Sequence, residues 1–264
     1  MGAERIVILG GGSLHGLVRA LRVGIRVTTV ELFGTGPHPV EELGVEVWYG
    51  PKFEDSEFSP TLLGRLESGT GVVIPCTDRG MLALSALRGA VEDETSYLCA
   101  VANVLTCSYL NDKEMAKGVF MAWGIPTPTQ RCGYPRFIKP SRGRSSIHAM
   151  RVDTPGQEQA YRLLFHEPCV VQRLVEGQEY SVDAYIGRDR TVKYCVPRAR
   201  LKTFGGVSVV TETVELPKAR ETVEKLAATP WWPQGPMTVQ GFMEDGEFVV
   251  IECKCRIGSG IVCG

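Results

Sequence analysis

The feature that most constrains the fold is a change of pattern near residue 110. Over the first hundred residues, short apolar stretches alternate with helical patterns, whereas beyond residue 136 β-rich stretches follow one another with few helices between them. Strands separated by helices are typical of a parallel, doubly wound sheet, and strands joined by turns are typical of antiparallel sheets. The sequence therefore predicts an α/β domain over residues 1–110 and an α+β domain with antiparallel sheets over residues 111–264.

Individual elements follow from the same patterns. Asn111 and Glu114 have the spacing of a capping box, so a helix is expected to begin at Asn111 and to end near Gly124, before Pro126 and Pro128. The predicted strands are 5–9, 25–32, 45–49, 71–75, 136–140, 148–152, 170–175, 180–186, 191–197, 207–216, 238–243 and 248–255, and the other predicted helices are 14–22, 81–88, 157–165 and 219–228.

Composition narrows the classes of function. The 264 residues carry 29 Lys and Arg against 30 Asp and Glu and show no basic stripe, so we expect small-molecule partners rather than nucleic acid. No apolar run approaches the roughly 18 residues that cross a bilayer, and the N-terminus lacks a signal-peptide pattern, which predicts a cytoplasmic protein without membrane contact. Nine cysteines without a C-x-x-C pair favour buried, reduced thiols over a zinc site.

A glycine cluster at residues 10–12 follows the first strand and opens a helix, which is the context of a phosphate-binding turn. Glu31 ends the second strand, where dinucleotide-binding domains carry a ribose-binding acid. His15 stands where that fingerprint has its third glycine. The alternatives are a nicotinamide-binding enzyme, which this departure disfavours, and a tight turn that binds another ligand or none.

Two middle segments have side chains suited to a nucleotide. Lys139 ends an apolar strand, where a buried ammonium requires an anion, and the following basic loop includes the serines Ser145 and Ser146, which suit polyphosphate contact. Farther on, a strand over 170–175 leads through a turn to a second strand carrying Glu179 and Asp183 on one face, which suits a base and a sugar. An exposed basic loop and solvated turn acids are the alternatives.

The last hairpin predicts a metal site. A three-residue loop, 244–246, would place Gln240 opposite Val250 and diagonal to Glu252, on the face that also carries Lys254 and Arg256. Carboxylate and amide oxygens suit Mg²⁺ held with nucleotide phosphates. A solvated hairpin face is the alternative.

In this order the segments resemble the successive motifs of the ATP-grasp family, of the kind found in carbamoyl-phosphate-synthase large subunits and amino-acid ligases. The resemblance rests on residues 111–113, the 124–128 turn, residues 137–140, Gln172 with Glu179, and Gln240 with Glu252. It implies a pre-ATP-grasp domain over residues 1–110 and an ATP-grasp domain over residues 111–264, with a lid at about 130–175 and a C-terminal sheet over 176–264.

The resemblance implies an ATP-dependent carboxylate–amine ligase that acts through an acyl-phosphate, with ATP and Mg²⁺ as cofactors and a small-molecule carboxylate, such as an amino acid, and an amine as substrates. Catalysis would be mostly positioning and charge neutralisation. The implied contacts are Lys113, Lys139, Ser145 and Ser146 with the ATP phosphates, Gln172 and Leu174 with adenine, Glu179 with ribose, Gln240 and Glu252 with Mg²⁺, Arg256 with the transferred phosphate, and Arg198 and Arg200 with an acidic substrate.

Two departures keep alternatives open. Family members carry asparagine and proline where this chain has Lys254 and Cys255, and an ammonium offers no oxygen to a metal ion. The chain also ends soon after Gly260, earlier than its relatives. A nucleotide-binding pseudoenzyme or regulatory subunit of this fold is therefore the main alternative to a ligase. An open edge of the parallel sheet would allow a homodimer.

Overall fold

The computed structural model of the chain describes residues 4–12, 14–34, 36–129, 133–143, 146–230, 233–258 and 260. A short 3-10 helix covers Pro39–Leu43. The strands and helices in chain order are β1 (Arg5–Leu9), α1 (His15–Leu21), β2 (Arg26–Leu32), β3 (Glu46–Gly50), α2 (Phe58–Arg65), β4 (Gly71–Pro75), α3 (Asp78–Glu94), β5 (Tyr97–Cys99), α4 (Val104–Asn111), α5 (Lys113–Ala122), β6 (Arg136–Pro140), β7 (Met150–Val152), α6 (Pro155–Leu164), β8 (Cys169–Arg173), β9 (Glu179–Ile186), β10 (Val192–Phe204), β11 (Val207–Thr213), α7 (Pro217–Ala228), β12 (Gly235–Glu244) and β13 (Glu247–Lys254).

The first five strands form one parallel sheet in the order β3-β2-β1-β4-β5. Val7, Ile8 and Leu9 of the central strand β1 are fully buried, as expected where helices cover both faces of a sheet. The strand order reverses between β1 and β4. In sheets of this kind, ligands bind beyond the carboxyl ends of the strands at that point. The predicted doubly wound α/β part is therefore present.

The remaining strands form two antiparallel sheets. The smaller has the order β7-β6-β8, and the larger has the order β11-β10-β9-β12-β13. The largest apolar core runs without interruption from the parallel sheet through α4 and α5 to β12 and β13, with Phe120, Val239 and Phe248 among its members. This shared core fixes the carboxyl edge of the parallel sheet close to the end of β13.

The helix α5 shows why one predicted boundary is wrong. Its N-cap is Asp112, whose carboxylate accepts hydrogen bonds from the backbone N–H groups of Glu114 and Met115. Asn111 instead ends α4, a helix that the sequence did not predict. Apolar side chains lie on both sides of α4, since Leu105 is exposed while Leu110 is buried, so the helix lacks a clear apolar stripe.

The predicted strands are all present; β1, β4 and β6 have the predicted ends, and the others are shifted at one or both ends. The largest shift is in β10, which continues to Phe204 rather than ending at residue 197, because β11 pairs with its second half. The helix α2 and the strand β5 were not predicted. Within the described parts of the chain, no helix combines the length and apolarity needed to cross a bilayer.

Candidate active site

A cleft of about 1050 Å³ opens between the carboxyl edge of the parallel sheet and the two antiparallel sheets. Small-molecule sites span roughly 300–1,000 Å³, so this volume suits a nucleotide together with a second ligand. Of the predicted site residues that the structure describes, only Arg198 is missing from its lining, and Ser145 lies outside the described residues. The predicted residues that line the cleft are Lys113, Lys139, Ser146, Gln172, Leu174, Glu179, Arg200, Gln240, Glu252 and Arg256.

Lys139, near the end of β6, carries a buried ammonium at the centre of the cleft. The residue is 7% exposed, and its Nζ donates to the main-chain carbonyl of Ile251 at 3.1 Å. Burial lowers the pKa of Lys139 to about 8, an effect that Glu252 opposes and Lys113 reinforces. A single carbonyl offsets only part of the free-energy cost of burying an ammonium, and an anionic ligand would offset more of it.

Glu252 faces the same space and is surrounded by lysines. Its Oε1 lies 3.3 Å from Lys113 Nζ and 3.5 Å from Lys254 Nζ. Burial acts to raise the pKa of Glu252, but Lys254, Lys113 and Lys139 together outweigh it and hold the pKa below its usual range. The carboxylate is therefore ionised and already neutralised by protein cations.

Gln240 lies directly opposite Glu252, but the predicted route to this pairing is wrong. The hairpin loop is the two-residue turn Asp245-Gly246, both residues with left-handed backbone, instead of a three-residue loop. A bulge at Ile251 then adds one residue to β13, so Gln240 pairs with Glu252 rather than facing Val250. The two-residue loop shifts the register by one residue, which alone would put Gln240 and Glu252 on opposite faces. The bulge shifts the register by one residue more, so the two side chains share one face after all.

Asp78 is a central member of the site that sequence analysis missed. Its Oδ1 lies 2.6 Å from Arg256 Nε and its Oδ2 lies 3.4 Å from Lys254 Nζ. Burial acts to raise the pKa of Asp78, but Lys254 and Arg256 outweigh it and hold the pKa low. Its position in the sequence could have indicated this role. Asp78 follows β4 and begins α3, at the edge of a doubly wound sheet where ligands bind.

Glu179, the predicted ribose acid, is paired with a predicted substrate anchor. Its Oε1 lies 3.1 Å from Arg200 Nη1, and burial raises the pKa of Glu179 even though Arg200 opposes the shift. The Nε of Arg200 is buried and has no hydrogen-bond partner in the described part of the chain. A buried donor without a partner costs about 1–3 kcal/mol, and an anion that accepts a hydrogen bond from this N–H group would remove that cost.

Arg198, the other predicted substrate anchor, is occupied by the protein itself. Its Nε donates to Asp183 Oδ2 at 2.8 Å and its Nη1 donates to the Gly260 carbonyl at 2.7 Å. Burial raises the pKa of Asp183, although Arg198 and the hydroxyl of Thr238 oppose the shift. Arg198 lines a small cavity of about 50 Å³ that is continuous with the cleft, since Arg200, Gln240 and Glu252 are among the residues that line both. The guanidinium of Arg198 is therefore engaged by protein groups in a side cavity of the cleft.

The predicted adenine end lies between the small and large sheets. Gln172 is 6% exposed on β8 and pairs with Phe137 on β6, and both line the cleft together with Leu174 and Phe242. The apolar and flat surfaces of this end suit a base. The contacts assigned to Gln172 and Leu174 stay predictions.

The glycine turn of residues 10–12 reaches the other end of the cleft. The N–H of Gly12 donates to Glu31 Oε1 at 2.6 Å, and Glu31 Oε2 lies 3.8 Å from His38 Nε2. Burial raises the pKa of Glu31 while the turn amides oppose the shift. Glu31, which the nicotinamide-binding alternative assigned to a ribose, is thus hydrogen-bonded to the glycine turn itself.

The charges around Glu252 do not fit a divalent ion held by this carboxylate. Lys113 and Lys254 lie within 3.5 Å of Glu252 Oε1, and each unit positive charge about 4 Å from a divalent ion costs roughly 8 kcal/mol at an effective dielectric constant of 20. In the described residues, no group of three or more His, Cys, Asp or Glu side chains is arranged to hold a metal ion. The predicted Mg²⁺ ligands Gln240 and Glu252 lie together, but the surrounding charges favour a polyanion over a metal ion.

Comparison with known proteins gives the family of the second half of the chain. A family model described as an ATP-grasp domain matches residues 110–260. A D-alanine–D-alanine ligase of Acidovorax ebreus is 37% identical over 93 residues, which cover 29% of this chain and 28% of that enzyme. The chain therefore spans less than a third of this curated relative.

Solved structures share the fold over nearly the whole chain. The L-amino acid ligase from Bacillus licheniformis superposes with a TM-score of 0.72 at 19% identity, over 99% of this chain and 69% of that one. A carboxyaminoimidazole ribonucleotide synthase from Aspergillus clavatus, solved with ATP, gives a TM-score of 0.72 at 18% identity, over 97% of this chain and 70% of that one. At this identity the likeness shows the fold alone.

Proposed function

Because the chain belongs to the ATP-grasp family, we propose that it is an ATP-dependent ligase that joins a small-molecule carboxylate to an amine through an acyl-phosphate. The family membership confirms the resemblance found in the sequence. The observation that carries the proposal is the buried ammonium of Lys139, which lies beside Glu252 in the wall of a nucleotide-sized cleft, together with Lys113 and Lys254 on the same carboxylate. Such a cluster of cations suits a polyphosphate chain.

In the proposed reaction, the γ-phosphoryl group moves from ATP to a carboxylate oxygen and ADP leaves. The amine nitrogen then attacks the carbonyl carbon, phosphate departs, and the nitrogen loses a proton. Lys113, Lys139 and Arg256 neutralise charge that develops on the phosphoryl oxygens, which is the largest contribution in reactions of this type. Magnesium enters with the nucleotide, as part of the MgATP co-substrate.

The carboxylate substrate is proposed to bind at Arg200. Its unpartnered Nε supports this assignment, and the flanking Gly206 accepts a hydrogen bond from Arg200 Nη2 at 2.7 Å, which fixes the guanidinium at the cleft wall. Arg198 is proposed to position this wall through Asp183 rather than to contact the substrate. The end of the cleft near Glu31 and Asp78 is left for the amine.

A nucleotide-binding pseudoenzyme is the second candidate, favoured by the ammonium of Lys254 next to Glu252. The two candidates differ in turnover. The test is ADP release from MgATP by the full chain, with a panel of amino acids offered singly and in pairs. We expect ADP only when a carboxylic acid is present. Nucleotide binding without ADP release across the panel would contradict the ligase and support the pseudoenzyme.

A matched pair of variants makes this assay specific for the site. Arg256→Met removes the guanidinium proposed to meet the transferred phosphate, and we expect at least about a tenfold loss of kcat. Arg220→Met, on the exposed face of α7, changes the same residue type away from the cleft and should leave kcat unchanged. Equal effects of the two changes would contradict the role of Arg256.

The pKa of Lys139 predicts a pH-dependent nucleotide affinity. The free protein holds this ammonium with a pKa of about 8, and an anion beside it favours the protonated form. We therefore expect nucleotide affinity to be constant below pH 8 and to fall toward tenfold per pH unit above it, with proton uptake on binding near pH 8.5. Calorimetric titration in buffers of different ionisation enthalpy measures that uptake.

Lys139→Arg is the control for this effect, because a guanidinium stays charged throughout the range. The variant should bind nucleotide with no proton uptake between pH 8 and 9. Wild-type binding without proton uptake would mean that Lys139 does not meet the phosphates.

A further inference from the structure

The ammonium of Lys254 is enclosed by oxygen atoms. The residue is 4% exposed at the end of β13. Its Nζ lies 2.6 Å from Asn111 Oδ1 and 3.2 Å from the Asn111 carbonyl oxygen. Asp78 Oδ2 at 3.4 Å and Glu252 Oε1 at 3.5 Å complete the surroundings. Two carboxylates, an amide and a carbonyl are the donors that a hard metal cation also prefers.

Other fixed cations complete the neutralisation of the two carboxylates. Arg256 donates a hydrogen bond to Asp78, and Lys113 forms an ion pair with Glu252. Each carboxylate therefore contacts Lys254 and one further cation. A divalent ion entering between Asp78 and Glu252 would have to displace the Lys254 ammonium, which the protein holds covalently. The protein thus supplies its own positive charge at this point.

We propose that the Lys254 ammonium takes the place of a protein-held divalent ion, so that the site contains a single metal ion, the one that the nucleotide brings with its phosphates. The proposal rests on nucleotide binding in the cleft, as proposed above. It concerns the metal count and does not depend on which substrates are joined. Lys254 would then neutralise the phosphates at the end of the cleft nearest the parallel sheet.

The test counts Mn²⁺ ions, which are visible by electron paramagnetic resonance. The full chain is titrated with Mn²⁺ in the presence of a saturating non-hydrolysable ATP analogue. We expect one bound Mn²⁺ per chain for the wild type and two for Lys254→Asn, because an amide oxygen replaces the ammonium. The exposed change Lys225→Asn on α7 is the matched control and should leave one ion.

Two bound ions in the wild type would overturn the proposal, as would a single ion in a folded Lys254→Asn protein. Circular dichroism establishes folding, and Lys254→Gln is the second variant should the shorter side chain unfold the protein. Affinity for the analogue is recorded in the same samples. Absence of analogue binding would defeat the proposed function itself, whereas binding with two ions would defeat this inference alone.

Discussion

Lys139→Met is expected to weaken ATP binding by about 100-fold and, at the same time, to raise the melting temperature of the free protein. The ammonium of Lys139 is buried against a carbonyl group, and its pKa is lowered to about 8, so the protonated form destabilises the fold at neutral pH. A pKa lowered from 10.5 to about 8 corresponds to a cost of roughly 3 kcal/mol for the protonated form, and an apolar side chain of similar length avoids that cost. The same ammonium is proposed to bind an ATP phosphate. The substitution should therefore lower the affinity for ATP while it raises the melting temperature.

The pH dependence of stability follows from the same shift. The folded pKa of Lys139 lies below its unfolded value of 10.5, so the destabilisation is complete below pH 8 and fades as the pH rises toward 10.5. The gain in melting temperature for Lys139→Met should therefore be largest below pH 8 and shrink above it. Calorimetric scans and titrations with ATP measure both effects.

Lys225→Met provides the comparison, since Lys225 is exposed on α7 and should change neither property. If the Lys139→Met protein melts at a higher temperature and still binds ATP as well as the wild type, the ammonium does not contact bound ATP. A variant that melts lower would show that its pairing with Glu252 outweighs the cost of burial.

Asp78→Asn is expected to lower the free energy of unfolding by about 3 kcal/mol and kcat by at least about tenfold. The carboxylate neutralises Arg256 and the buried Lys254, and the amide would leave both cations with less compensation. At this chain length, 1 kcal/mol shifts the melting temperature by roughly 2–4 °C, so a fall of about 6–12 °C is expected. Thermal unfolding and ADP release measure the two effects.

The matched control is Asp93→Asn, an exposed carboxylate on the same helix α3, which should leave both quantities unchanged. The pKa of Asp78 is held low in the folded protein, so its contribution is present above the unfolded pKa and lost as the pH falls through the folded value. The difference between Asp78→Asn and the wild type should therefore shrink in acid. A difference that is constant down to pH 2 would contradict the ion-pair explanation.

The architecture was readable from the sequence because it rests on local patterns. Buried strands such as β1 are short apolar runs, so all but one of the strands and the classes of the sheets could be predicted, although the length of the loop between β12 and β13 was predicted wrongly. The candidate site residues of the second half were predicted from the order of their motifs. Apart from Arg198, those that the structure describes line one cleft, and their individual contacts with ATP stay predictions.

The details that failed depend on contacts between distant parts of the chain. The bulge at Ile251 occurs where main-chain groups of β13 bond elsewhere: the N–H of Val250 donates to the Pro126 carbonyl at 2.8 Å, and the Ile251 carbonyl accepts from Lys139. Asp78 owes its role to Arg256, 178 residues farther along the chain. No local pattern records such partners.

A crystal structure of the chain with a non-hydrolysable ATP analogue tests the central claim most directly. The phosphates are predicted to lie between β6 and β13, with at least one phosphate oxygen within hydrogen-bonding distance of Lys139 Nζ, and the base is predicted beside Gln172. An analogue bound at the glycine turn near Glu31, with Lys139 still bonded to the Ile251 carbonyl alone, would contradict the account.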